Sequence, residues 1–238
     1  MNTIALLAQR AAAGPPGFRT DNARSLRDLA YEALKTAIAD TNIYDPSQEL
    51  RLDERQLGMA LGISRTPVHE ALALLEQEGF VHTRPRRGIY VTRKSKREII
   101  ELIQVWAALE CMAARLATLR ASDADIGMLR HLFDDFQDAS PTEHLREYSD
   151  ANIEFHSAII ALGGSRTIVH ASRNLLCHVR AIRRLTIAQN DRAAQSIVDH
   201  LEIVEALERR DTEAAEYLTR QHTLKLAAHV ERYCQFPS

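Results

Sequence analysis

The order of local patterns in residues 53–91 constrains this chain more than any other feature of its sequence. A short helical pattern runs from Asp53 to Leu61, and a turn of Gly62, Ile63 and Ser64 follows it. A longer amphipathic pattern then runs from Arg65 to Gly79, and two short apolar runs flank the basic turn Arg84-Pro85-Arg86-Arg87-Gly88. Helix, turn, helix and hairpin in this order predict a winged helix-turn-helix.

The second helix of this motif has suitable residues at both ends. Ser64 suits the N-cap position, Pro67 falls in the first turn, where its missing N–H is harmless, and Gly79 is placed as a C-terminal stop. Its apolar face consists of Val68, Ala71, Leu72 and Leu75. An ordinary helix pair with a basic surface loop is the alternative, but the complete order of elements favours the winged motif. Because residues at the start of such a helix reach base edges, Arg65 and Thr66 indicate DNA binding.

The distribution of charge agrees with this interpretation, although the total charge does not indicate it. The net charge of the 238 residues is −2. Residues 51–97 hold ten Lys/Arg and five Asp/Glu, whereas the rest of the chain holds 20 and 27. A basic module joined to an acidic one is typical of a DNA-binding domain attached to a separate body.

The sequence predicts a mainly α fold, with an N-terminal winged helix-turn-helix and a C-terminal all-helical bundle of about six helices. We expect a flexible arm over residues 1–24, rather than a signal peptide, because no basic start precedes its apolar part. The DNA-binding domain is expected over 25–92, a basic linker over 93–97, and an effector-binding and dimerisation domain over 98–233. The linker is either a solvated connection or a phosphate contact beside the wing. The helices of the bundle are expected at 96–119, 123–138, 142–161, 165–189, 191–209 and 211–233.

Cysteine usage and hydropathy indicate a cytoplasmic protein. Cys111, Cys177 and Cys234 are odd in number and form no CxxC pair, which favours reduced thiols over a disulfide framework. No apolar run approaches the length of a membrane span.

Four polar residues of the helical body are spaced so that they can meet. Asn152 and His156 are four residues apart and share one helix face. His200 and His222 lie at similar distances before and after the break at Arg210, about 15 Å along each arm of a helical hairpin. Three imidazoles and an amide oxygen could therefore bind a divalent metal, with Zn²⁺ or Ni²⁺ the best match for imidazole ligands. The alternative is a set of ordinary core or surface histidines.

The segments SRTPVHEALALLEQEGFV and RPRRGIYV resemble the GntR family of bacterial transcription regulators, and the helical body resembles the FadR subfamily with its FCD effector domain. The resemblance implies that Arg55, Ser64, Arg65, Thr66 and the residue at 69 read DNA. The wing, with Arg86, Arg87 and Gly88, is similar to the family's minor-groove or phosphate contact. His69 is a departure, because Arg is common there and grips guanine bidentately, whereas His offers one donor at a time.

The same resemblance bears on the metal and the effector. Many FCD domains hold a divalent metal with Asp-x3-His and two further His, which match Asn152, His156, His200 and His222. A neutral Asn is a weaker ligand than Asp, so either the metal binds less tightly or a carboxylate effector supplies the missing charge. Trp106 stands where subfamily members often have an acid-clamping Arg, and core packing is its favoured role. The arginines that could replace the clamp are Arg115, Arg180, Arg183 and Arg184, of which Arg115, Arg180 and Arg184 are taken as the effector-binding candidates.

These features predict an effector-responsive transcription regulator, with a repressor favoured, that carries no catalytic residues. We expect a homodimer on a near-palindromic double-stranded operator, with a small-molecule effector, best matched by an organic acid, in the helical domain. The alternative is a metal-dependent enzyme acting on a small acid. It lacks a placed general base, because Glu154 points away from the face of Asn152, and it leaves the DNA-binding module without a role.

Overall fold

The computed structural model describes residues 25–39, 41, 43–44, 50–136 and 145–236. The chain divides into two compact units, with the boundary between Lys94 and Ser95. The arm expected over residues 1–24 lies outside the described residues, as do residues 142–144 at the expected start of the third helix of the bundle.

The first unit combines helices with a small sheet. Its described elements are α1 (Leu26–Ala39), β1 (Arg51–Leu52), α2 (Glu54–Leu61), α3 (Arg65–Gln77), β2 (Val81–Arg84) and β3 (Gly88–Val91). The strands are antiparallel in the order β1-β3-β2, and the β2–β3 hairpin pairs Val81 with Val91 and Arg84 with Gly88. The predicted helix-turn-helix and wing are therefore both present.

Short-range interactions fix the turn between α2 and α3. The Asp53 side chain caps α2 by accepting a hydrogen bond from the backbone N–H of Gln56 at 2.9 Å. Gly62 has φ +68°, which favours glycine, and ends α2. A Cβ at Gly58 would lie 3.0 Å from the carbonyl oxygen of Ile63, so this glycine lets the turn pack closely on α2. Ser64 occupies the N-cap of α3, but its side chain makes no capping hydrogen bond within the described chain.

The second unit is all-helical over its described residues. The helices are α4 (Lys96–Arg120), α5 (Asp123–His131), α6 (Leu145–Leu162), α7 (Arg166–Thr186), α8 (Arg192–Glu208) and α9 (Thr212–Tyr233). Ser95 and Glu98 form a reciprocal capping box at the start of α4. Lys96 and Arg97, expected in the basic linker, therefore belong to the first turn of that helix. The predicted fold class, a winged helix-turn-helix followed by a bundle of about six helices, is confirmed.

The helix expected over residues 123–138 was too long. The α-helix ends at His131, and a separate 3-10 turn follows at Asp134–Phe136. Phe133 and Phe136 are both buried and both contact the ring of Tyr148. A turn with about three residues per repeat places positions i and i+3 on the same side, which directs both rings into the core.

The core of the bundle surrounds a group of buried polar side chains. Large apolar side chains such as Trp106, Phe133 and Phe155 pack with Tyr148 between α4, α6 and α8. The thiols of Cys111 and Cys234 are free and buried. No helix among the described residues is long and apolar enough to span a bilayer.

Candidate DNA interface and metal centre

The first turns of α3 present the expected DNA-reading side chains to solvent. Ser64, Arg65, Thr66 and His69 are exposed, and the Arg65 side chain retains 76% of its accessible surface. Arg55 is exposed on α2, the preceding helix. These residues are available to enter a groove without unfolding any part of the unit.

Glu54 joins two of these side chains, a contact that the sequence analysis missed. One carboxylate oxygen, Oε2, lies 2.5 Å from Arg65 Nε, and the other, Oε1, lies 2.7 Å from His69 Nδ1. Burial raises the pKa of Glu54, but the hydrogen bonds with His69 and Arg65 lower that pKa overall. The Glu54 side chain is only 12% exposed, so a largely buried carboxylate holds two exposed side chains that are expected to read DNA.

The wing places two exposed arginines at a tight turn. Arg86 has φ +62° and Gly88 has φ +112°, and the side chains of Arg86 and Arg87 are exposed. The Tyr90 hydroxyl donates a hydrogen bond to the carbonyl oxygen of Arg87 at 3.1 Å, which braces the turn. A Cβ at position 88 would lie 3.0 Å from Arg51 Nε, so the guanidinium of Arg51 approaches the wing from β1. This additional cation was also missed from the sequence.

Three histidines from three helices converge inside the second unit. His156 on α6, His200 on α8 and His222 on α9 are all buried, and His200 has no exposed surface. His200 Nε2 lies 3.3 Å from His156 Nε2 and 3.1 Å from His222 Nε2. All three potential ligand atoms lie within 4.8 Å of one another. The turn between α8 and α9 brings His200 and His222 to the same depth.

The opposite nitrogen of each ring contacts a polar side chain. His156 Nδ1 bonds Glu110, His200 Nδ1 lies 3.4 Å from the Tyr148 hydroxyl, and His222 Nδ1 lies 3.0 Å from Asp199 Oδ2. Metal-binding histidines typically have such a partner, which fixes ring orientation and leaves the other nitrogen for the ion. The three Nε2 atoms therefore face a common point with their rings held from behind.

The donor set fits a divalent ion. Imidazole nitrogens about 2.1 Å from one Zn²⁺ lie about 3.0–3.4 Å apart in tetrahedral or octahedral arrangements, close to the two spacings observed. Burial lowers the pKa of His156 to about 3 and lowers the pKa of His200 and of His222, in each case assisted by neighbouring positive groups. The rings are thus kept neutral, which is the form that binds a metal.

Glu110 supports this cluster, although sequence reasoning did not single it out as a site residue. It is fully buried on α4 and accepts hydrogen bonds from Trp106 Nε1 at 3.0 Å and Thr223 Oγ1 at 2.6 Å. Burial raises the pKa of Glu110, but His156, the charge of Arg183 and the bond from Thr223 bring that pKa down to about 2. Trp106 packs in the core, as favoured, and also helps to hold this carboxylate.

Asn152 lies in the same polar network, and its neighbours differ from those of a simple metal ligand. Its amide nitrogen donates to Ser196 Oγ at 3.1 Å, and its oxygen faces Arg183 Nη1 at 3.5 Å. Ser196 Oγ in turn lies 3.5 Å from His200 Nε2. Asn152 is therefore connected to the histidines through Ser196, with its oxygen directed at a guanidinium.

The three arginines taken as effector candidates have different surroundings. Arg115 forms an ion pair with Glu216 at 3.0 Å, and Arg184 forms one with Asp150 at 2.9 Å. Arg180 is half-buried on α7. Arg183, in contrast, is buried and interacts electrostatically with Glu110, His156 and His222.

Comparison with known proteins identifies both units. The model of the bacterial regulatory proteins of the gntR family matches residues 26–91, and the FCD domain model matches residues 101–225. This chain belongs to the GntR family and carries an FCD domain. It is a DNA-binding transcription regulator, and the family and its relatives are regulators rather than enzymes.

Individual relatives agree with this assignment. The uncharacterized HTH-type transcriptional regulator YdhC of Bacillus subtilis is 27% identical over 214 residues, covering 86% of this chain and 88% of that protein. The HTH-type transcriptional repressor RspR of Escherichia coli is 24% identical over 184 residues, covering 77% and 81%. The solved structure of E. coli McbR/YncC shares the fold, with a TM-score of 0.72, 21% identity and coverage of 88% of this chain and 98% of that one.

Proposed function

We propose that this GntR regulator is a repressor whose affinity for its operator changes when a small organic acid binds beside a divalent metal in the FCD domain. The main support for the proposed metal site is the convergence of three buried Nε2 atoms. Their rings are oriented by Glu110, Tyr148 and Asp199. The likeness to RspR, which is named a repressor, supports the direction of regulation.

His156, His200 and His222 would hold the ion through Nε2, and Zn²⁺ or Ni²⁺ suits such a set. When bound, the metal supplies a fixed positive charge that attracts an anionic ligand. The protein's own residues keep the rings neutral and oriented. Glu110 and Asp199 each contact an Nδ1 and leave Nε2 for the ion. Asn152 adds no negative charge, so the positive charge of a bound metal would not be offset at this position and would favour an anionic effector.

The DNA-reading set proposed for the first unit is Arg55, Ser64, Arg65, Thr66 and His69, with Arg86, Arg87 and Gly88 in the wing. A single recognition helix reads few base pairs, so two copies on a two-fold axis are needed for specificity. We therefore infer a homodimer on a near-palindromic operator. We place its action in the cytoplasm, because the gntR family consists of bacterial regulatory proteins that act on DNA.

The proposed metal is tested by elemental analysis of the full-length protein, and the proposed dimer by multi-angle light scattering. About one Zn²⁺ or Ni²⁺ per chain is expected after loading and desalting, together with a mass of twice 26.8 kDa. If the protein retains no divalent metal after loading, with its histidines intact, the proposed metal site is contradicted. A monomer at micromolar concentration, both alone and with operator DNA, contradicts the dimer.

A further inference from the structure

Arg183 has donors that the surrounding protein does not satisfy. The residue is 3% exposed, and neither Nε nor Nη2 has a hydrogen-bond partner among the described residues. Within the part of the chain that the structure describes, Nη1 reaches only the Asn152 oxygen, at 3.5 Å. A buried guanidinium with open donors is costly unless an acceptor completes it, because its hydration shell has been lost.

The charges around the histidines leave an excess of positive charge. Two carboxylates, Glu110 and Asp199, are coupled to the cluster, and Asp199 is already bonded by Lys225 at 2.8 Å. Arg192, whose Nε is also buried without a hydrogen-bond partner among the described residues, adds a second guanidinium that interacts with Arg183. With the histidines neutral, the three cations Lys225, Arg183 and Arg192 outnumber the two carboxylates by one. A divalent metal would increase this excess of positive charge.

The neutral residue at position 152 leaves this imbalance uncorrected. An Asp in place of Asn152 would put a carboxylate oxygen where the amide oxygen now faces Arg183 Nη1. The amide leaves the positive charge uncompensated while retaining nearly the same shape. An anion from solution could therefore bind at one place both to uncompensated positive charge and to open hydrogen-bond donors.

We propose that Arg183 binds the carboxylate group of a small aliphatic acid at the histidine cluster, and that this acid supplies the negative charge that Asn152 does not. The inference rests on the proposed function, because it names the residue that recognises the organic-acid effector. A guanidinium suits this task, since its planar donors match a carboxylate. The open donors also distinguish Arg183 from Arg115 and Arg184, whose guanidinium groups form ion pairs with Glu216 and Asp150.

The test measures binding of acetate, succinate and citrate to the zinc-loaded full-length protein by isothermal titration calorimetry, with acetamide and succinamide as uncharged controls. Wild type is compared with Arg183→Gln, with Arg184→Gln and with Arg173→Gln, an exposed position on the same helix. We expect at least one acid to bind wild type while the amides do not, with affinity reduced about tenfold or more in Arg183→Gln alone. Zinc content is measured on every sample.

A second variant tests the inference if Arg183→Gln does not fold. Asn152→Asp is nearly isosteric and places a carboxylate against Arg183. It is expected to weaken binding of the same acid by a similar factor while retaining zinc. Undiminished acid binding by Asn152→Asp overturns the inference.

The outcomes separate this inference from the metal proposal. Equal acid binding by wild type and Arg183→Gln, with zinc present in both, overturns the role of Arg183 and leaves the metal standing. Arg183-dependent acid binding by a protein that retains no zinc contradicts the metal and supports Arg183. A loss caused by Arg184→Gln instead, or binding of none of the acids to the zinc-loaded wild type, overturns the inference.

Discussion

Glu54 Oε2 lies 2.5 Å from Arg65 Nε, so the residue expected to read bases is held by a carboxylate from the preceding helix. Glu54 is fixed in the first turn of α2, whereas the Arg65 side chain is largely exposed. The contact limits the directions that Arg65 can take before DNA arrives. It also places a negative charge on the surface that must approach phosphates.

Removal of Arg65 tests the recognition helix. Arg65→Ala is expected to cost about 1–3 kcal/mol in operator affinity and to flatten discrimination among operator variants, because a base-edge contact is lost. Fluorescence anisotropy with labelled duplexes measures both effects. Arg27→Ala, at an exposed residue of α1 that pairs with Asp28, is the matched control and should bind as wild type does. Unchanged affinity and selectivity in Arg65→Ala would show that α3 does not read the operator.

Removal of the Glu54 charge is expected to have opposite effects on affinity and specificity. Glu54→Gln should raise affinity for non-specific duplex, since one repulsive charge is gone, and lower the ratio of specific to non-specific affinity, since Arg65 and His69 lose their anchor. Titrations at several salt concentrations measure both quantities. Glu70→Gln, an exposed position of α3, removes the same charge without touching Arg65 and should leave the ratio unchanged. A preserved ratio in Glu54→Gln would refute the orienting role.

The metal prediction concerns the three histidines and Asn152. His200→Ala or His222→Ala should remove bound Zn²⁺ or Ni²⁺, because each deletes one of three imidazoles. Asn152→Asp should tighten metal binding by adding negative charge at the cluster. Competition with a chromophoric chelator measures the affinities, and His170→Ala, an exposed position on α7, is the control. Metal retention by both histidine variants would exclude this cluster as the site.

Part of this centre could be predicted from the sequence, and the missing part has a common cause. Similar distances of His200 and His222 from one helical break sufficed to align them, since the rise per residue is fixed. Glu110, Arg183 and Glu54 could not be found in this way, because their roles depend on how each helix is rotated about its own axis. Glu110 meets His156 from 46 positions away. Trp106, favoured as core, is buried and also donates to Glu110, one turn further along the same helix, a contact that i,i+4 spacing allows but does not require.

His229 predicts a pH dependence outside the metal cluster. Burial and then the nearby charge of Arg192 lower its pKa to about 4, and its Nε2 lies 3.0 Å from Gln189 Oε1. The unfolded chain takes up this proton below pH about 6.5, while the folded protein does not until about 4, so stability is lost as the pH falls across that interval.

Urea unfolding of metal-free wild type and His229→Gln at a series of pH values measures this contribution. The variant should lose stability less steeply between these pH values, by at most about 1.4 kcal/mol per pH unit. His131→Gln, at an exposed site on α5, should follow the wild-type curve. Parallel curves for wild type and His229→Gln would contradict the assignment.

Operator binding with and without a carboxylate ligand tests the central claim most directly. The zinc-loaded protein first selects its operator from a random duplex library, and anisotropy then measures affinity for the consensus at fixed salt. The account predicts an inverted repeat, with affinity that falls several-fold at saturating concentration of the tightest-binding acid in wild type and stays constant in Arg183→Gln. An operator affinity of wild type that does not change at saturating acid would contradict the claim that the FCD domain controls DNA binding through this site.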